Sequence, residues 1–338
     1  MKSSYIVLGN GFSIDLINKM EKQNDIDLQN LFSKGENVIY PKTKNKGFLS
    51  SRYTPYMWSL GARTYMNSED AMRLVTDIIT CANVYVKKKV SNEEDTSNRY
   101  INAYNELSSY LRYLFIYYNS LVSDSDLDKI KDKVELIKYI QDKLGEGDNI
   151  YICTYNYDIF LERLLNIAGI GFDIYGFSST GKKVVIFKPH GSISFSFKIK
   201  IQESSPYSIR NGIADSISQE AKDFEIRYDL KSDYPLVNAI IPPAGDANRY
   251  KYGWIDCIRS GLYATANNST SKDELLLFGI SYLHVDRNEI DDILLAMDDK
   301  MNVVFVNPMP PTSLEAVLTC MFKNYIHFTS GKLIAEDT

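Results

Sequence analysis

The chain has 338 residues, 44% of them hydrophobic, which is ample for a large buried core, and its net charge of −5 argues against broad contact with nucleic acid, which rests on Lys and Arg neutralising phosphates. No apolar run approaches the roughly 18 residues of a membrane span, and the apolar stretch of MKSSYIVLGNGF, broken by Gly-Asn-Gly, is too short for a signal peptide, so a cytoplasmic protein with no membrane contact is expected. The cysteines, Cys81, Cys153, Cys257 and Cys320, are scattered with no C-x-x-C spacing, which excludes a zinc ribbon or a disulfide framework and leaves no metal site expected.

The first element is read from IVLGNGFSID, residues 6–15. An apolar strand enters a Gly9-Asn10-Gly11 turn and is followed at once by Phe12, Ser13 and Asp15, the way a strand hands over to a helix around a phosphate. Glycine permits positive φ and close approach of a ligand, and the amides of a helix start attract anions. The same turn also suits plain packing of strand on helix. The dinucleotide fingerprint is incomplete, because Ile14 stands where its third glycine belongs. Residues 20–35 read as a polar helix. Residues 57–146 carry almost no Gly or Pro and space apolar residues helically, as in Met72, Val75, Ile78, Ile79 and then Tyr104, Leu107, Tyr110, Leu111, Leu114. They predict an inserted helical subdomain, with the charged tract near 87–99 as a solvated turn.

From about residue 149 the texture changes to IYICTYN, VVIFKPHG, LVNAIIPP, ELLLFGIS and MNVVFVNP, alternating with helical patterns such as IFLERLLNIAG and RNEIDDILLAMDD. Continuous apolar runs of this length belong to a parallel sheet buried on both faces. With YIVLG they predict a doubly wound, mostly parallel, Rossmann-like α/β fold. The sheet is expected to end near residue 306, before one helix and a tail, and residues 1–338 to form one domain with its insertion. Ligands of such a sheet bind beyond the carboxyl ends of the strands.

Those ends carry Gly9 to Ser13, Thr154-Tyr155-Asn156-Tyr157-Asp158, Pro189-His190-Gly191-Ser192, Gly279-Ile280-Ser281 and Val306-Asn307-Pro308. Asn156 offers a donor and an acceptor without charge, which suits holding a water or a ribose hydroxyl, or else satisfying a buried turn. Asp158 points the same way if the strand pattern persists, and is equally a good helix N-cap. His190 at a strand end can relay a proton near neutral pH, whereas His284 and His327 lack such company and read as structural. Strand-end placement predicts that folding tolerates replacement of Asn156 or His190.

Taken in order, these pieces resemble the sirtuin superfamily, whose members carry a Gly-Ala-Gly-x-Ser turn, a Thr-x-Asn-x-Asp strand end leading into a helix that finishes Ala-Gly, a His-Gly pair, a Gly-x-Ser turn and a strand ending in Ile-Asn. TYNYDIFLERLLNIAG matches the second piece through to Ala168-Gly169. More narrowly, TYNYD with KPHGSI and no zinc cysteines is similar to the bacterial sirtuin-like NAD+ hydrolases of antiphage defence. The resemblance implies that NAD+ is the substrate, split into nicotinamide and ADP-ribose, with Asn156 and His190 catalytic. It implies that Gly9, Asn10, Gly11, Phe12, Ser13 and Asp15 surround the pyrophosphate, that Thr154 and Asp158 join the cofactor contacts, with Asp158 accepting from the nicotinamide carboxamide, and that Gly279, Ser281 and Asn307 hold the adenosine half. Arg249, in the rim loop 240–254, is available for a phosphate.

Sirtuin deacylases carry a four-cysteine zinc module and a Phe-Gly-Glu type segment that pairs with the peptide. Here both are missing, and YPLVNAIIPPAGD stands in place of the second, which leaves hydrolysis by water. The alternatives are an NAD-dependent protein deacylase or ADP-ribosyltransferase, and a non-catalytic nucleotide sensor. Free NAD+ destruction would kill the host cell, so a quiet homo-oligomer awaiting an activating partner is expected. Its aromatic stretch YLRYLFIYYNSL at 110–121 suits either an interface or the helical block's own core. The resemblance implies a helicase-like ATPase, an Argonaute-like protein or a nucleotide-sensing subunit as that partner.

Overall fold

A computed structural model describes residues 2–41, 43, 45–88, 99–199, 219–230, 238–242, 253–283 and 286–331. The first apolar run becomes β1 (Ser3–Leu8), buried along almost its whole length as a central strand must be, and passes through Gly9 into α1 (Asn10–Lys19). A helical block follows: α2 (Pro55–Ser59), α3 (Ser68–Lys88), α4 (Arg99–Ser120), α5 (Asp124–Ile130) and α6 (Glu135–Glu146). The chain then returns as β2 (Asn149–Thr154), α7 (Phe160–Ile167), β3 (Phe172–Ile174) and β4 (Val184–Phe187). Next come β5 (Gly191–Phe197), β6 (Phe224–Ile226), β7 (Asn238–Ile240) and α8 (Gly253–Asn267). The last elements are β8 (Glu274–Phe278), α9 (Arg287–Leu295), β9 (Asn302–Val306), α10 (Thr312–Met321) and β10 (Asn324–Phe328).

Seven strands form an α/β sheet in the order β10-β9-β8-β1-β2-β4-β3, each neighbouring pair parallel. From β1 the chain fills one side of the sheet, reaching the edge as β3 and returning as β4 between β3 and β2, and then fills the other side outward through β8, β9 and β10. Strand order therefore reverses between β1 and β8, and a crevice opens beyond their carboxyl ends. Among the described residues no helix is long and apolar enough to cross a membrane.

Three expectations need correction. Residues 20–35 form turns rather than a polar helix: Asp27 Oδ1 accepts from the amides of Gln29 and Asn30, and Asn30 Oδ1 from that of Phe32, so short polar side chains take over the backbone. The run LVNAIIPP does not join the parallel sheet; its described part is β7, which pairs antiparallel with β5 in a separate sheet of order β6-β5-β7. The large sheet continues past residue 306 to β10, an edge strand whose half-exposed NYIHF pattern gives no continuous apolar run. Of the two readings open for the aromatic stretch at 110–121, Tyr110, Tyr113, Phe115 and Tyr118 follow the core one, Tyr110 Oη donating to Leu31 O (2.7 Å) and Tyr118 Oη to Asp27 O (3.0 Å). Of the charged tract near 87–99, residues 89–98 lie outside the described residues, as do His284 and Arg249.

The helical block is bolted to the small sheet. Ser108 Oγ on α4 donates to Ile240 O (2.7 Å), Asn238 Nδ2 donates to Ser108 O (2.8 Å), and the Arg112 guanidinium donates to Phe195 O (3.3 Å). Helix α4 thereby forms a wall over the carboxyl ends of the large sheet.

Candidate active site

The glycines after β1 face another glycine turn. Gly9 N donates to Phe278 O (3.0 Å), Gly11 N to Gly279 O (3.1 Å), and Gly279 N to Val306 O (2.9 Å). Gly279 adopts φ +62, in the left-handed region, and a Cβ there would lie 2.5 Å from Gly11 Cα; a Cβ on Gly11 would lie 2.6 Å from Gly279 Cα. The turns after β1 and β8 thus touch backbone to backbone, which only glycine permits. Phe12 packs edge-on against Phe278 in the core.

Behind this junction lies a buried polar network. Asn156 Nδ2 donates to Gly9 O (3.0 Å) and to Ser13 Oγ (2.9 Å), and Ser13 Oγ donates to Asp158 Oδ2 (2.8 Å). Asp158 Oδ1 accepts from Phe160 N (3.1 Å) at the start of α7, and Thr154 Oγ1 accepts from Asn156 N (3.2 Å). Both hydrogens of the Asn156 amide are thereby used, which leaves its Oδ1 for a water or a ribose hydroxyl. Burial raises the Asp158 carboxyl above its ordinary value, against the pull of Lys188 and the Ser13 hydrogen bond. Lys188, fully buried, donates to Asp158 O (2.6 Å) and pairs with Glu162 Oε1 (2.7 Å).

His190 sits where Lys188-Pro189-His190-Gly191 turns from β4 into β5. Gly191 holds φ +85, and a Cβ there would collide with Ala239 O at 1.9 Å, so β7 can lie close against this turn. His190 is buried, its Nε2 lies 2.9 Å from Glu289 Oε2, and the other oxygen of Glu289 accepts from the Arg259 guanidinium. Burial works to raise the Glu289 carboxyl, but His190 and Arg259 outweigh it and hold the group below its ordinary value. An ionised Glu289 keeps the imidazole proton on Nε2. Nδ1 is then a proton acceptor whenever the ring is neutral.

Two adjoining cavities, which share Asn10, Ser281 and Asp286 in their linings, lie here. The larger, about 840 Å³, is walled by Met72, Val75, Ile79, Leu111 and Phe278, with Asn10, Gly11, Asp15, Gly279, Ser281 and Asn307 on its lining. The smaller, about 130 Å³, is lined by Gly9, Asn10, Tyr155, Asn156, Asp158, His190, Ser281 and Asp286. Asp15 is paired with Lys19 (2.5 Å), and Asn307 Nδ2 donates to Ile280 O (2.9 Å), which closes the turn after β9 onto that after β8. The structure therefore brings Gly9, Asn10, Gly11, Asp15, Asn156, Asp158, His190, Gly279, Ser281 and Asn307 to one cleft. Phe12, Ser13 and Thr154 lie buried behind its walls, where they hold the lining residues. His327 takes a structural position, its Nε2 2.9 Å from Asn307 O.

Sequence reasoning missed Glu289, Arg259, Glu162, Lys188 and Asp286. A signal existed for two of them. Glu289 stands four residues before Ile293, and Arg259 four after Ile255, each on the apolar face of its helix, where an unpaired charge would be costly. The sequence matches no family model and no curated protein.

Proposed function

We propose that the protein hydrolyses NAD+ to nicotinamide and ADP-ribose. The observation that carries this reading is the small chamber, in which Asn156 is fixed by Gly9 and Ser13, and His190 is oriented by the buried Glu289–Arg259 pair, at one end of a cavity large enough for the rest of a dinucleotide. Nicotinamide leaves as a neutral molecule, so departure needs no strong acid. The site has instead to seat the ribose and bring a water to one face of an oxocarbenium-like centre. Asn156 Oδ1 suits the ribose or the water, and His190 Nδ1 suits the proton that the water gives up. A binding-only nucleotide site has no use for a histidine oriented by two buried charges.

The resemblance to sirtuin-like defence effectors supports a role in NAD+ depletion on phage infection, with the activity held off until self-assembly or an activating protein releases it. The helical block is a suitable lever: Met72, Val75 and Ile79 on α3 and Leu111 on α4 line the larger cavity, so a shift of these helices reshapes it.

The test is to incubate the chain with NAD+ across a range of protein concentrations, with and without an acetyl-lysine peptide, and to follow nicotinamide and ADP-ribose. Release without peptide is expected. Release only with peptide, accompanied by O-acetyl-ADP-ribose, makes the protein a deacylase; binding of NAD+ with no turnover at any concentration makes it a sensor.

A further inference from the structure

One carboxylate in the cleft has no structural employment. Asp286, at the start of α9, lines both the larger and the smaller cavity. Its backbone is fixed on both sides, its amide donating to Leu283 O (2.9 Å) and its carbonyl accepting from Glu289 N (3.1 Å) and Ile290 N (3.2 Å). Its side-chain Oδ1 is shut off from solvent and has no hydrogen-bond partner among the described residues. Burying such an oxygen unpaired is costly, and the neighbouring carboxylates of Asp158 and Glu289 avoid it by bonding both oxygens.

The geometry points to Asp286 as the carboxylate that faces the ribosyl cation as nicotinamide departs, an inference that rests on the NAD+-hydrolysis reading. In that step the bond between ribose C1′ and the nicotinamide nitrogen breaks, and both its electrons go to the nitrogen, which leaves neutral. Positive charge moves from the pyridinium ring to C1′ and the ribose oxygen. The water oxygen then bonds to C1′ and gives one proton to His190, which passes it to solvent. A fixed negative charge beside the ribose is worth most where that positive charge arrives. The groups that face Asp286 are His190 from the turn before β5, Glu289 from its own helix, and Tyr155 and Tyr157 from the end of β2. Burial pushes the Asp286 carboxyl up to about 6, with His190 pulling it down and Glu289 pushing it up, so it is mostly ionised at neutral pH.

Nicotinamide release and ADP-ribose affinity, the latter by calorimetry, are measured for the full chain and for Asp286→Asn, with Asp286→Ser as a second variant in case the amide disturbs the fold. The expected result is a kcat lower by about a hundredfold in both variants, while ADP-ribose, which carries no cationic carbon, binds within about threefold of the parent. The parent's rate should fall more steeply below about pH 6 than the variants' does, because the variants keep only the fall that comes from protonating His190. A kcat within about threefold of the parent, or an ADP-ribose affinity lost in step with kcat, overturns this role and leaves NAD+ hydrolysis standing. A parent chain that releases no nicotinamide at any protein concentration overturns both.

Discussion

The two chambers share walls but handle charge in opposite ways. In the larger one, Lys19 stands between Asp15 (2.5 Å) and Glu135 (3.3 Å), all three partly exposed and set against a mainly apolar wall. In the smaller one, Asn156, Asp158 and His190 are buried, and Glu289 and Arg259, buried as well, support His190 from outside the lining. A partly solvated ion pair is worth little and can be exchanged cheaply, whereas a buried one is costly to break because each partner is stranded without water. The larger chamber is thus built to accommodate, and the smaller to fix.

That contrast ranks the substitutions. The largest effect is expected from His190→Ala or Asn156→Ala, each lowering nicotinamide release by about a hundredfold or more. Their burial also corrects the expectation that folding would be indifferent: Asn156→Ala strips the donor from Gly9 O and Ser13 Oγ and should cost about 1 to 3 kcal/mol in urea denaturation. Glu289→Gln should cost about 3 kcal/mol and slow release as well, since His190 and Arg259 lose a shared buried anion; an unchanged denaturation midpoint would count against a rigid small chamber. Gly279→Ala disturbs the glycine junction in the wall of the larger chamber. A methyl 2.5 Å from Gly11 Cα, on a residue at φ +62, should cost about 2 to 3 kcal/mol and weaken NAD+ binding in calorimetry. The smallest effect is expected from Lys19→Met, with stability changed by under about 1 kcal/mol and NAD+ affinity altered only a few-fold. A loss as large as that at Glu289 would erase the distinction between the chambers.

The sequence made the central sheet legible because β1, β2, β4, β8 and β9 are buried on both faces and so read as unbroken apolar runs. It hid β10, whose edge position removes that signature, and it disguised β7, since an apolar run does not say which sheet it joins. Asn156, Asp158 and His190 were legible as polar residues at the ends of apolar strands. Glu289 and Arg259 left only the trace of a charge on an apolar helix face; their partners, 99 and 30 residues away, were not legible, because no local pattern encodes such a meeting. The turn glycines were legible as a requirement for close approach; that the approaching group includes Gly279 backbone emerges only in three dimensions.

The place of β1 in the middle of the sheet has a consequence for biosynthesis. Ser4 is paired on two fronts, opposite Ile150 in β2 and opposite Glu274 in β8, the latter 270 residues further along the chain. At about 5 to 20 residues per second, roughly 15 to 50 s of translation separate the two strands. Throughout that interval one flank of an apolar strand has no native partner to close it, while the helices destined to cover its faces are already folding. The nascent protein therefore carries an open strand edge until β8 has been made, and shielding of that edge, by chaperones or by provisional contacts with α1 and α6, becomes a condition for reaching the cleft at all.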